Sequence, residues 1–280
     1  MRLDEDNVDE AKELEAEQRE LKWLLCDIHG GIKSSIHVGL QECLSRLSEQ
    51  DDGLKLVMSS NRSETLKGIV TRVGATVCEC DIVVKLASAN KGHPFHVKLK
   101  ENETYPLLQV VDAVNFISEA LQTTSRLTTD SPPENDVQTR IYLSETLGYV
   151  KSALAALREP KASSIYPHQV TDTSKFVDLP PGLVVDFYVS DSNVITELRT
   201  IEDIAGNHHT LDSFTSALSL KKKKQEKVVA YNGSSVVEHE HVKVESQDPC
   251  LISETAKLTA VESHLAAMVR KLQLCLGCVR

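Results

Sequence analysis

Cysteine and histidine at alternate positions are the residues best suited to chemistry here: Cys78-Glu79-Cys80 and His239-Glu240-His241. Residues two apart on a strand face the same way, so two strands could gather four soft ligands around one metal ion. Spacing and neighbours point elsewhere. Neither pair has the Cys-x-x-Cys knuckle spacing that structural zinc favours. Cys78 and Cys80 share a strand face with Ile82, Val84 and Leu86, where a thiol behaves as a small buried hydrophobe. His239 and His241 share theirs with Lys243 and Glu245, a solvated strand surface. The expectation is that no metal is held.

Nucleophilic and phosphate chemistry have linear signatures, and the chain has no G-x-S-x-G, no G-x-x-x-x-G-K-[ST] and no G-x-G-x-x-G. His29-Gly30-Gly31-Ile32-Lys33-Ser34-Ser35 has P-loop letters but lacks the first glycine at the required spacing. It also falls in a helical pattern, whereas a phosphate cradle needs a strand-to-helix loop. No catalytic, cofactor-binding or metal-binding residue is assigned, and a non-enzymatic role is expected. The alternative is an enzyme or ligand-binding protein with an inter-domain pocket that no linear motif reveals.

Charge narrows the partners. Over 280 residues, 31 Lys+Arg stand against 41 Asp+Glu, a net charge of −10. Nucleic-acid affinity rests on Lys and Arg neutralising phosphates, so no nucleic-acid partner is expected. The one basic run, Lys221, Lys222, Lys223 and Lys224, lies in a weakly periodic stretch from Glu202 to Glu226 and reads as a solvated loop. Weak contact with an anionic membrane is its alternative. Residues 1–20 carry nine acids against three bases. Leu14, Leu21 and Ile28 at intervals of seven suggest a zipper, but a nuclear zipper protein needs a basic region where this chain is acidic. The N-terminus has no basic n-region or apolar h-region, and no run of about 18 apolar residues occurs, so a cytoplasmic or peripheral location is expected. The seven cysteines then read as free thiols.

The elements that carry these residues follow from period. From Asn7 to about Ser48 the apolar residues recur at steps of three, four or seven, with Asn7 and Glu10 resembling an N-cap and capping box. Such a helix is about 60 Å long and needs a partner surface. Leu66 to Val73, Ala75 to Ala87 and Pro94 to Lys100 read as three antiparallel strands. Two helices follow, one with Leu107, Val110, Val111, Val114, Ile117 and Leu121 inward, the other with Val137, Ile141, Leu147, Val150, Leu154 and Leu157, parted by Pro132-Pro133. Two hairpins then flank Ser190-Asp191-Ser192-Asn193 and Asn232-Gly233. Asp248-Pro249 opens a closing helix with Leu251, Ile252, Leu258, Leu265, Val269, Leu272 and Leu276 on one side.

The fold expected is α+β: an elongated antiparallel helical bundle built from both chain ends plus a separate antiparallel β-sheet domain into which both strand blocks join. The bundle takes residues 1–52, 105–160 and 247–280 and the β domain residues 54–103 and 180–246, with 161–179 a surface connection.

Several stretches, in this order along the chain, resemble the Rogdi family, which includes the small subunit of the fungal RAVE complex. They are Glu20-Leu21-Lys22-Trp23-Leu24-Leu25-Cys26-Asp27, Leu66-Lys67-Gly68-Ile69-Val70 through Val84-Lys85-Leu86, and the Leu108 to Leu121 helix. Leu179-Pro180-Pro181-Gly182-Leu183-Val184-Val185-Asp186-Phe187-Tyr188 and His239 to Glu245 complete the set. The resemblance implies a helical bundle plus a β domain and a non-enzymatic role. It also implies a rabconnectin-3-type WD-repeat partner and help in assembling the peripheral sector of the vacuolar-type proton ATPase, in support of organelle and synaptic-vesicle acidification.

Overall fold

Ile28, Ile32, Ile36 and Leu40 step by four, and in an α-helix each such step overshoots a full turn by about 40°. A stripe of this kind stays on one face only if the helix widens somewhere. The computed structural model, which describes residues 2–48, 53–60, 65–128, 136–204 and 227–278, shows that widening. Helix α1 (Arg2–Gly31) passes through a π turn at Ile32–Ile36 directly into α2 (His37–Ser48). Ile28, Ile32, Ile36 and Leu40 are all buried. The helix starts at Arg2, so Asn7 lies inside it instead of capping it.

The chain divides into two compact units. The first comprises Met1–Ser48, Asp112–Ala155 and Ile252–Arg280. It holds α1 and α2 with most of α3 (Leu108–Ser125), α4 (Asp136–Arg158) and α5 (Pro249–Cys278). Its buried residues include Leu24, Leu25 and Cys43 with the stripe above, Ala113, Ile117 and Ala120 from α3, and Leu258, Leu265 and Leu272 from α5. Each large aliphatic among them adds roughly 1.5 to 3 kcal/mol of gross burial. Gly31 and Gly39 are where α5 approaches closely: a Cβ there would stand 2.6 Å from Met268 Cε and 3.2 Å from Val261 Cγ2.

Two apolar stripes differ from expectation. On α4, Val137 and Ile141 are exposed, and Thr139, Leu143, Thr146, Val150 and Ala153 turn inward. A threonine tolerates that position because its hydroxyl bonds the preceding turn, as Thr146 Oγ1 does to Tyr142 O at 2.8 Å. On α5, Ile252 is exposed and Glu254 buried. Pro132-Pro133 lies outside the described residues.

The second unit, Glu49–Val111 and Ala156–Leu251, contains two antiparallel sheets, not the single sheet expected. The first runs β1 (Leu54–Ser59), β2 (Leu66–Val73), β3 (Thr76–Val84), β4 (Phe95–Lys98), with β5 (Tyr105–Pro106) also pairing β3. The second runs β6 (Leu183–Ser190), β7 (Asn193–Asp203), β9 (Ser234–Gln247), β8 (Lys227–Tyr231). Each block closes its ladders on its own hairpins, so neither needs the other's strands for hydrogen bonds. Asp191, Ser192, Asn232 and Gly233 all take positive φ, which suits two-residue hairpin loops. The 161–179 connection is less superficial than expected. Tyr166, Thr171 and Phe176 are buried, and Thr171 Oγ1 donates to Val185 O at 3.0 Å, satisfying an outward carbonyl of edge strand β6.

Candidate functional site

Both of the sequence's candidate ligand pairs fall on β-bulges. The β2/β3 register jumps from Thr71↔Glu79 to Arg72↔Val77, leaving Cys78 as the extra residue, and β7/β9 jumps from Thr200↔Glu240 to Ile201↔Glu238, leaving His239. A bulge re-aims the side chain it carries. Cys80 is buried with Ile82, Val84 and Leu86 as expected, but Cys78 is only half-buried and Val77 takes its place in the core. Their thiols donate to backbone carbonyls, Cys78 Sγ to Thr71 O and Cys80 Sγ to Val97 O, each at 3.4 Å. Burial pushes the Cys80 thiol up to about 12, the reverse of what a metal ligand or nucleophile requires. His239 Nε2 pairs with Glu202 Oε2 at 3.0 Å and His241 Nε2 with Glu197 Oε1. The cysteines stand in the first sheet and the histidines in the second. Among the described residues no group of three or more His, Cys, Asp or Glu gathers to hold a metal ion.

The other candidates separate in the same way. His29 to Ser35 lies at the end of α1 and in the π turn, not in a strand-to-helix loop, and Ser34 Oγ donates back to Gly30 O at 2.8 Å. Leu14 is 49 % exposed, Leu21 half-buried and Ile28 buried, so the heptad does not form one buried seam. Lys221, Lys222, Lys223 and Lys224 lie outside the described residues. Cys26, Cys43, Cys78, Cys80 and Cys250 are free thiols. Cys275-Leu276-Gly277-Cys278, at the C-terminal end of α5, does have Cys-x-x-Cys spacing.

A polar cluster on one face of the second sheet was missed altogether. Asp186 on β6 and Glu197 on β7 are register partners, 2 % and 6 % exposed. Glu197 accepts from Tyr188 Oη at 2.7 Å and pairs with Arg199 and His241. Arg199 also faces Glu238 at 3.7 Å and stacks its guanidinium 4.8 Å from the Tyr166 ring centre. Burial raises Glu197, but the hydrogen bonds from His241 and Tyr188 and the Arg199 charge outweigh it and hold the carboxyl at about 2. Asp186 goes the other way: burial lifts it to about 6, against the opposing effects of the Tyr166 backbone N–H and the Arg199 charge. Two carboxylates driven apart can serve as acid and base, but these sit inside the fold and bond to protein donors. Their signal in the sequence is one acid inside each apolar strand, LVVDFYVS and VITELRT.

Elsewhere the surface carries apolar side chains of a size suited to contact. In the first sheet Val57 and Ile69 are register partners, 65 % and 47 % exposed. In the helical unit Trp23 on α1 is 66 % exposed and Leu274 on α5 is 72 % exposed. They line a groove of about 390 Å³ with Glu17, Glu20, Leu24, Lys271 and Cys275. Among the described residues no helix is long and apolar enough to cross a membrane.

Residues 20–273 match the family described as Rogdi leucine zipper containing protein, and the chain belongs to that family. It is 23 % identical over 238 residues to a "Protein rogdi homolog" of Danio rerio, covering 81 % of this chain and 79 % of that relative. It is 25 % identical over 286 residues to the "Regulator of V-ATPase in vacuolar membrane protein 2" of Schizosaccharomyces pombe, covering 88 % and 90 %.

Proposed function

We propose that this chain is a non-enzymatic scaffold or regulatory subunit that helps assemble the vacuolar-type proton ATPase. The observation that supports this most is similarity to a V-ATPase regulator along nearly the whole of both chains. Its partners on this reading are a rabconnectin-3-type WD-repeat protein and subunits of the ATPase peripheral sector. It works at the cytoplasmic face of endosomal, lysosomal or synaptic-vesicle membranes and supports their acidification. The helical unit acts as an antiparallel bundle drawn from both chain ends, residues 1–52, 105–160 and 247–280. Residues 54–103 and 180–246 form the β module, and either offers a docking face.

Native affinity purification of the tagged chain tests the reading. A WD-repeat partner and peripheral-sector ATPase subunits should co-purify in fixed ratio. Recovery of the chain alone and monomeric would remove the proposal's support.

A further inference from the structure

Trp23 and Leu274 are among the largest apolar side chains exposed on the helical unit, and they stand together. Glu17, Glu20, Trp23 and Leu24 follow each other at steps of three, three and one, a single face of α1. Lys271, Leu274 and Cys275 occupy one face of α5 at steps of three and one. The groove therefore runs about 10 Å, two helical turns, along α1 and about 6 Å, one turn, along α5. A trough of this shape with an apolar floor suits a helix that brings anchors at i, i+3 or i+4, and i+7.

Charge selects among occupants. Glu17 and Glu20 rim the α1 side, and the lysine on the α5 side, Lys271, is already 3.9 Å from Asp27. Residues 12–20 of the same helix hold four acids against two bases. A second copy of the chain would bring two such stretches together, and an anionic bilayer would repel them, since like charges at an interface oppose docking. Trp is also the residue type most often found at the energetic centre of a protein contact.

We infer that the groove between α1 and α5, floored by Trp23 and Leu274 and rimmed by Glu17 and Glu20, takes a basic amphipathic helix of a partner protein. The assignment stands on this unit alone and does not depend on the V-ATPase reading.

Trp23 is the only tryptophan, so the full chain carries its own reporter. The probe is an 18-residue peptide with leucine at helical spacing and lysine elsewhere, and its control replaces every lysine with glutamate. The lysine peptide should shift tryptophan emission to the blue in a saturable way, and the glutamate peptide should not. The doubly substituted Glu17→Lys/Glu20→Lys chain and the Leu274→Ser chain, each with unchanged circular dichroism, should need at least tenfold more peptide. Equal response to both peptides, response to neither, or titrations unaltered by those substitutions would overturn the assignment. So would a blue shift on concentrating the chain without peptide, which gives the groove to a second copy. A shift on adding phosphatidylserine vesicles would give it to lipid and overturn it equally.

Discussion

Arg72 and Asp248, 176 positions apart, form a two-pronged ion pair in which both side chains are almost wholly buried. Arg72 Nη2 donates to Asp248 Oδ1 at 3.1 Å and Nε donates to Oδ2, and a third donor reaches Gly74 O. Asp248 Oδ1 also accepts from Leu251 N at 3.0 Å, the N-cap bond of α5. One carboxylate thus joins β2 to the start of the last helix.

Removing that carboxylate leaves a buried guanidinium without its counter-charge. Asp248→Ala should cost about 3 to 5 kcal/mol from the broken pair, with roughly 1 kcal/mol more from the lost cap. Asp248→Asn keeps a cap acceptor and should cost less. Urea denaturation measures both, and a loss below about 1 kcal/mol for the alanine variant would show that the pair is not structural.

The Asp186 and Glu197 carboxyls should give stability a pH dependence with two limbs of opposite sign. Glu197 is held at about 2 against an ordinary 4.5, so its contribution is fully present above 4.5 and lost as pH falls toward 2. Asp186 is raised to about 6 from an ordinary 3.8, so its ionisation opposes folding above 6, and stability rises as pH falls from there toward 4. Asp186→Asn should flatten the upper limb and raise stability at pH 7. Glu197→Gln should flatten the lower limb and reduce stability at pH 7, because Tyr188, Arg199 and His241 lose their shared acceptor charge. Thermal melts from pH 3 to 8 read both limbs, and parallel curves for wild type and variants would exclude the assignment.

Three glycines should respond in opposite directions. Nothing lies within 4 Å of a Cβ built on Gly30 or Gly148, both inside helices, so alanine there should stabilise by about 0.5 to 1 kcal/mol. At Gly68 in β2 the same Cβ would stand 2.2 Å from Asp81 O and 2.5 Å from Ile82 Cα on β3. Gly68→Ala must push two paired strands apart and should lower the melting temperature by several degrees. A rise there would contradict the β2/β3 register.

Thiol reactivity should follow burial. Cys43 is driven up to about 12 by burial first and then by its hydrogen bond with Glu254, and Cys80 to about 12 by burial and the Asp81 charge. Cys26 is exposed. Iodoacetamide at pH 7.5 should label Cys26 early and leave Cys43 and Cys80 unmodified until denaturant is added, as peptide mass mapping will report. Early labelling of Cys43 would place it outside the helical core.

Period made the helices and most strands legible: the four-residue steps from Ile28 to Leu40 fix the buried stripe, and Asn232-Gly233 fixes a hairpin. Strand β1 escaped although Asp52-Gly53 directly precedes it, and β5 escaped because two residues are too few to show a period. On α4 the expected stripe holds at Val150 and Leu157 but not at Val137 and Ile141, which outrank Thr139 and Thr146 in hydrophobicity, and only packing reveals that a threonine can bond its own helix. The division of strands into two sheets depends on long-range pairing that no local pattern encodes. The bulges at Cys78 and His239 break the alternation on which the candidate metal constellation relied. Glu197 and Arg199 meet Tyr188 of β6 and the Tyr166 ring only through tertiary packing.

The central claim is best tested in cells of the organism that makes this chain. The chain is depleted, and the membrane-bound fraction of the ATPase peripheral sector is measured by fractionation alongside luminal pH. The account predicts that the bound fraction falls and the lumen becomes less acidic, with recovery on re-expression. An unchanged bound fraction with normal luminal pH would contradict it.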